Sequence, residues 1–259
     1  MGVPRAANTA FRTLLCVSVL PLAVIAHSLW ALGLALRGRP RPEIDRVYVH
    51  FAHFCVRLAG TEIEARGLEH VKPAQAYVIV PNHESNWDPI VLLATLEGLS
   101  IRFVVKRELL RLPVFGAALL RTGNVRVDRN APAADVQRIK TTMSARDPAV
   151  SILFYAQGTR SRDGSFRPFK KGAFATAIRE GLPVLPVATA GTYGIWRPHS
   201  AVFRRGAVVL EIGPAIPVNG LTLEDREKLR AQVEQEVRTL RARARARLRE
   251  RGHDPGGID

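Results

Sequence analysis

Pro81-Asn82-His83-Glu84-Ser85-Asn86-Trp87-Asp88-Pro89 lies between the apolar run Tyr77-Val78-Ile79-Val80 and a second apolar run beginning at Ile90. The first run is short and rich in β-branched residues, which suits a buried strand. The second opens on aspartate followed by proline, a helix-start signal, because proline has no N–H to leave unpaired there. A buried strand passing through a polar loop into a helix is the repeating unit of an α/β sheet, and such sheets bind ligands beyond the carboxyl ends of their strands. His83 and Asp88 fall at such an end. A histidine, with an unperturbed pKa of about 6.5, accepts a proton from a hydroxyl near neutrality once a carboxylate fixes its tautomer. On a regular helix, positions i and i+5 stand about 140° apart, so the two side chains meet only if the backbone turns between them. The spacing leaves two readings open: a base with its orienting carboxylate, and a plain helix cap.

The alternation continues along the chain. Residues 61–65, 101–105, 123–129, 150–154, 183–188 and 207–212 read as strands, and residues 109–120, 135–145 and 170–179 as helices. The fold class this predicts is α/β. Thr222-Leu223-Glu224-Asp225 resembles a capping box with aspartate in place of glutamate, and it opens a long helix.

Ahead of the α/β pattern, residues 14–36 carry no charge, a length that meets the roughly 20 apolar residues needed to cross a bilayer. Arg5 and Arg12 precede this run, and Arg37, Arg39 and Arg41 follow it. It reads as a membrane anchor, either spanning or bent at Pro21 within one leaflet, and the basic remainder favours a cytoplasmic face for the rest of the chain. Residues 43–58 carry Val47, Phe51, Phe54, Cys55 and Leu58 at helical spacing, an amphipathic helix. The organisation expected is an anchor and amphipathic helix over 1–60, an α/β domain over 61–220, and a basic helix and tail over 221–259.

The formal charge of +15 points to an anionic partner. Aromatic residues make up only 7% of the chain and do not interleave with the basic clusters, so a stacking platform is lacking and nucleic acid is not expected. Residues 238–251 hold seven arginines against one glutamate, which suits either a solvated helix or a surface for anionic lipid. Two cysteines make neither a disulfide framework nor a metal cluster. His83-Glu84 begins like a zinc-peptidase helix, but Trp87 stands where the second histidine belongs. A Gly-x-Ser-x-Gly elbow is absent, as are the glycine spacings of a phosphate-binding P-loop and of a dinucleotide fingerprint. No metal or cofactor is expected.

Arg129 and Arg160 each close a strand and enter a loop, where a guanidinium can grip phosphate with two parallel hydrogen bonds. Lys106 and Lys171 add charge without a fixed direction. A candidate base, two candidate phosphate ligands and an anchor together suggest chemistry on a phosphorylated lipid.

His83 with Asp88, residues 123–129, residues 154–161 and Leu182-Pro183-Val184-Leu185-Pro186 resemble, in order, the four blocks of the 1-acyl-sn-glycerol-3-phosphate acyltransferase (lysophosphatidic acid acyltransferase) family. That resemblance implies a mixed, mostly parallel sheet flanked by helices, with an N-terminal membrane-associated helical segment. It implies transfer of a fatty acyl group from acyl-CoA or acyl carrier protein to the hydroxyl of a lysophospholipid, forming phosphatidic acid when the acceptor is 1-acyl-glycerol-3-phosphate. By the same resemblance His83 is the general base, Asp88 orients it, Arg129 and Arg160 bind the acceptor phosphate, and Gly158 and Thr159 shape the site. The partners implied are membrane lipids, the lysophospholipid and the thioester donor, and the expected setting is the cytoplasmic side of a bacterial inner membrane.

The third block departs from the family pattern. Phe-Pro-Glu-Gly-Thr-Arg is usual, whereas this chain reads Phe154-Tyr155-Ala156-Gln157-Gly158-Thr159-Arg160. Gln157 keeps the glutamate's shape and hydrogen-bonding reach without its charge. The substitution keeps in view a different acceptor, such as a lyso-ornithine lipid, and a noncatalytic lipid-binding protein is the reading from another class.

Overall fold

A computed structural model describes residues 5–128, 132–144 and 147–258 of the chain. In order, the elements are α1 (Arg5–Leu36), α2 (Arg41–Ala59), β1 (Thr61–Arg66), β2 (Val78–Pro81), α3 (Asp88–Thr95), β3 (Ser100–Lys106), α4 (Pro113–Arg121), β4 (Val125–Val127), α5 (Pro132–Ser144), β5 (Val150–Leu153), α6 (Gly172–Glu180), β6 (Val184–Ala190), α7 (Thr192–Ile195), β7 (Gly206–Ile212) and α8 (Arg226–Glu250). The strands form one seven-stranded sheet in the order β1-β7-β6-β2-β5-β3-β4. Every neighbouring pair is parallel except β6 with β7. This is the mixed, mostly parallel α/β sheet expected.

β2 is the central strand, and Val78, Ile79 and Val80 are wholly buried. Successive side chains on a strand point to opposite faces. Ile79 joins a core containing Cys16 and Leu20 of α1, Cys55 of α2, and Val91 and Leu92 of α3. Val78 and Val80 join the opposite core, with Phe174 and Ala177 of α6 and Leu229, Val233 and Leu240 of α8. Each such fully buried aliphatic side chain contributes about 1.5–3 kcal/mol relative to exposure. A strand buried on both faces explains why residues 77–80 read as an unbroken apolar run.

α1 runs without a break through Pro21. Residues Asn8–Leu36 form a helix long and apolar enough to cross a membrane by length and composition. One side packs on the body, where Cys16 and Ala31 are buried, while Phe11, Leu14, Leu22, Leu29 and Trp30 are exposed on the other. α2 packs along α1, and His27 of α1 meets His50 of α2 at 2.9 Å.

The arginine-rich end of α8 departs from both sequence readings at two positions: Arg241 and Arg245 are buried on the face that packs against β6 and β7, while the other arginines of the run stay at least partly exposed. Arg241 donates to the carbonyls of Gly164 (2.7 Å) and Ile258 (3.1 Å), and Arg245 to those of Gly256 (2.7 Å) and Gly257 (3.2 Å). These guanidiniums fasten the C-terminal segment to the loop that follows Arg160. A run of seven arginines reads as solvated in sequence, and only packing distinguishes the two that turn inward.

Candidate active site

The loop after β2 leaves the centre of the sheet and is pinned to its neighbours on both sides. Asn82 Oδ1 accepts from the Thr189 N–H (2.8 Å) and Asn82 Nδ2 donates to the Thr189 carbonyl (3.0 Å), extending the pairing with β6 by one side chain. On the other side, Gln157 Oε1 accepts the backbone N–H of His83. Ser85 Oγ donates to the Trp196 carbonyl (2.7 Å), and Trp87 Nε1 donates to Thr61 Oγ1 (3.0 Å). With both rims held, the loop makes the turn that a regular helix denies.

That turn brings His83 Nδ1 to 2.8 Å from Asp88 Oδ2. The same oxygen accepts the backbone N–H groups of Glu84 (2.8 Å) and Ser85 (2.9 Å), and Oδ1 accepts from Thr192 Oγ1 (2.5 Å). Asp88 begins α3, yet its carboxylate caps the preceding loop rather than the helix. It is completely buried, and four donors compensate the charge removed from water. A carboxylate facing Nδ1 requires the proton on that nitrogen, which leaves Nε2 of His83 with its lone pair available. Burial lowers the His83 pKa from its ordinary value, Asp88 opposes this, and the charges of Arg160 and Lys106 lower it further. The imidazole is therefore a neutral base at physiological pH.

Arg160 does not close β5 but lies seven residues beyond it in the following loop, from where it brings positive charge to His83, as Lys106 does from the end of β3, while Lys171 pairs at 3.0 Å with Glu227, a residue of α8. Gly158 N–H donates to the Tyr155 carbonyl (2.8 Å), closing a turn in which Gly158 has φ +76°. A Cβ there would be strained and would lie 3.0 Å from Lys170 Cε. Thr159 follows in the same half-buried loop. Arg129 lies outside the described residues.

Three groups escape a reading by motif. Tyr155 stacks on the His83 ring with centroids 3.7 Å apart and planes 19° from parallel, and its buried hydroxyl lacks a hydrogen-bond partner among the described residues. Thr192 reaches Asp88 from a sequence distance of 104 residues. Glu84 is buried beside Asp88, with Arg241 Nε at 3.5 Å, and burial followed by the Asp88 charge pushes its carboxyl up to about 8. None of the three has a spacing to betray it, since all depend on which strands neighbour β2.

The family profile described as Acyltransferase matches residues 62–190. The 1-acyl-sn-glycerol-3-phosphate acyltransferase of Pseudomonas aeruginosa is 35% identical over 190 residues, covering 72% of this chain and 72% of its own. Human 1-acyl-sn-glycerol-3-phosphate acyltransferase alpha is 29% identical over 225 residues, covering 86% of this chain and 77% of its own. Among solved structures, the 1-acyl-sn-glycerophosphate (LPA) acyltransferase PlsC from Thermotoga maritima superposes with a TM-score of 0.76 at 23% identity, covering 91% of this chain and 95% of that one. At that identity the likeness is one of fold.

Proposed function

This chain belongs to the 1-acyl-sn-glycerol-3-phosphate acyltransferase family and is an O-acyltransferase, and from that premise we propose that it acylates the free hydroxyl of 1-acyl-glycerol-3-phosphate to give phosphatidic acid. The observation that carries this reading is the 2.8 Å contact of His83 Nδ1 with Asp88, which leaves Nε2 as a neutral acceptor. Nε2 takes the proton of the acceptor hydroxyl as its oxygen attacks the thioester carbonyl of acyl-CoA or acyl carrier protein. The tetrahedral intermediate collapses with cleavage of the C–S bond, and the proton held on Nε2 returns to the departing sulfur. Asp88, hydrogen-bonded to Nδ1, stabilises the transient imidazolium. The acyl group passes directly between substrates, so the protein itself is not acylated.

Arg160 is the described candidate for the acceptor phosphate, with Lys106 adding attraction. Gln157 argues less for a phosphate-free acceptor than its lost charge suggests. Its carbonyl oxygen is occupied by the His83 N–H, a task that a neutral amide performs as well as a carboxylate. The exposed apolar side of α1 suits insertion into a bilayer, with the remainder of the chain on the cytoplasmic face of a bacterial inner membrane.

The test is an assay of the purified protein in detergent with labelled acyl-CoA and acyl carrier protein donors and a panel of lysolipids. Transfer to 1-acyl-glycerol-3-phosphate is the expected result. Transfer confined to a phosphate-free acceptor would overturn the substrate, and failure with every pair would overturn catalysis.

A further inference from the structure

A basic cavity of about 420 Å³ lies at the edge of the sheet away from His83. Its walls are Asn8, Thr9 and Arg12 of α1, Glu62 of β1, Arg204 and Arg205 ahead of β7, and His253 beyond α8. Because β7 runs antiparallel to β6, Gly206 and its partner Thr61 sit on the side of the sheet from which the His83 loop emerges. An aromatic wall lies between: Phe203 packs 6.0 Å from Trp87 and 4.5 Å from Trp196, ring centre to ring centre. Thr13 Oγ1 ties the same phenylalanine to α1 by accepting its N–H at 3.1 Å. The cavity is therefore a neighbour of the catalytic loop, separate from it.

Its charge is uncompensated. Three guanidiniums face one carboxylate, and Glu62 is already taken by Arg205 at 2.7 Å. Arg12 donates Nη1 to the Leu58 carbonyl at 3.3 Å, but its Nε is buried without a hydrogen-bond partner among the described residues. A buried, unpaired donor on a cation is an unfavourable arrangement that an anionic acceptor relieves. Arg204 makes no side-chain ion pair with a described residue, and it stands next to Arg205 on the same rim. Converging guanidiniums with hydroxyl and amide side chains beside them match the acceptor oxygens of a phosphate ester. The exposed Phe11 and Leu14 flank Arg12 on α1, so the cavity lies at the border of the helix's apolar side, the depth of a headgroup if that side is immersed.

We propose that Arg12 and Arg204 form a second phosphate-ester site, distinct from the candidate acceptor site at Arg160. The ligand is either the headgroup phosphate of a membrane lipid or a phosphate of the acyl donor's carrier, chemistries that this cavity recognises alike.

Calorimetry on the full chain in nonionic detergent, in an Arg160→Ala background that weakens the candidate acceptor site, tests this directly. The probes are dihexanoyl phosphatidic acid and coenzyme A, titrated separately. Adding Arg204→Gln should weaken one of them by about tenfold or more, as loss of a charge-assisted contact does. Loss for phosphatidic acid identifies the lipid as the source, and loss for coenzyme A identifies the donor. Arg12→Gln should act in the same direction, but Arg12 also braces Leu58, so Arg204→Gln carries the decision. Affinities for both probes within about threefold of the parent, or absence of saturable binding by the parent, would overturn the site. The readout is binding, so the result is independent of turnover and of the acceptor's identity.

Discussion

The side-chain oxygen of Gln157 accepts the backbone N–H of His83, so the loop after β5 holds the loop after β2 in the conformation that the His83–Asp88 contact requires. A residue that differs in charge from its family's usual glutamate is thereby part of the scaffold of the candidate base. The distinction between hydrogen-bond acceptor and charge can be separated by substitution.

Gln157→Leu removes the acceptor and leaves a buried N–H unpaired, which costs about 1–3 kcal/mol. The variant should lose about tenfold or more in kcat and melt at lower temperature. Gln157→Glu keeps the acceptor and adds a negative charge, which favours the imidazolium and raises the His83 pKa. Its acid limb of kcat/KM should move to higher pH with folding retained. An acid limb that stays in place would mean the carboxylate is not sensed by His83.

His83→Ala should reduce turnover by about 10²- to 10⁴-fold with little change in melting temperature. In the parent enzyme, burial holds the His83 pKa below its ordinary value. The free base therefore persists into mildly acid solution, and the acid limb of kcat/KM should lie below about pH 6.5. Activity of the alanine variant at a tenth of the parent rate would remove His83 from the role of base.

Arg160→Ala should raise the KM for a phosphorylated acceptor by about tenfold or more and change kcat little, because the phosphate contact is made in ground and transition states alike. Steady-state kinetics at saturating donor give the split. An unchanged KM would make Arg160 a loop residue.

Glu84→Gln tests the buried carboxyl beside Asp88. The folded-state value is raised to about 8 from an ordinary 4.5, so the native state binds this proton more tightly than the unfolded chain between those values. The resulting stability is fully present below 4.5 and is lost as pH rises towards 8. Glutamine has no proton to lose, so the variant's stability relative to the parent should grow from about pH 5 to pH 8 by an amount on the order of a few kcal/mol at most. Denaturant melts across pH measure it, and a flat difference would place the proton elsewhere.

Arg241→Ala should destabilise the protein by about 1–3 kcal/mol, since it frees the Gly164 and Ile258 carbonyls. Arg243→Ala, on the exposed side of α8, should stay within about 0.5 kcal/mol of the parent. Equal effects in the same melts would deny the two arginines different roles.

The chain's order of strands and helices was legible in sequence because each element is a local pattern. An apolar run such as residues 77–80, or the proline after Asp88, acts through its immediate neighbours. The pairing of His83 with Asp88 was legible as a possibility, and family blocks later in the chain gave it chemical meaning. Gln157 was recognised as a departure, but its partner was not, since the backbone N–H that it meets belongs to a loop 74 residues earlier. In the arginine run 238–251, the inward turn of Arg241 and Arg245 is illegible for a related reason. Its burial pattern follows contact with β6 and β7, which composition does not record.

Sequence alone therefore determined most of the elements, the short α7 excepted, with the α/β class, the apolar first helix and the identity of the candidate base, all features governed by residues adjacent in the chain. Tertiary structure alone decided the strand order and the turn that closes His83 onto Asp88. It also decided the convergence of Gln157, Thr192, Glu84 and Arg241 on that pair. The physical reason is that hydrogen bonds and buried charges are satisfied by whatever lies nearby in space. With β2 between β5 and β6, those partners arrive from loops and a helix remote in sequence.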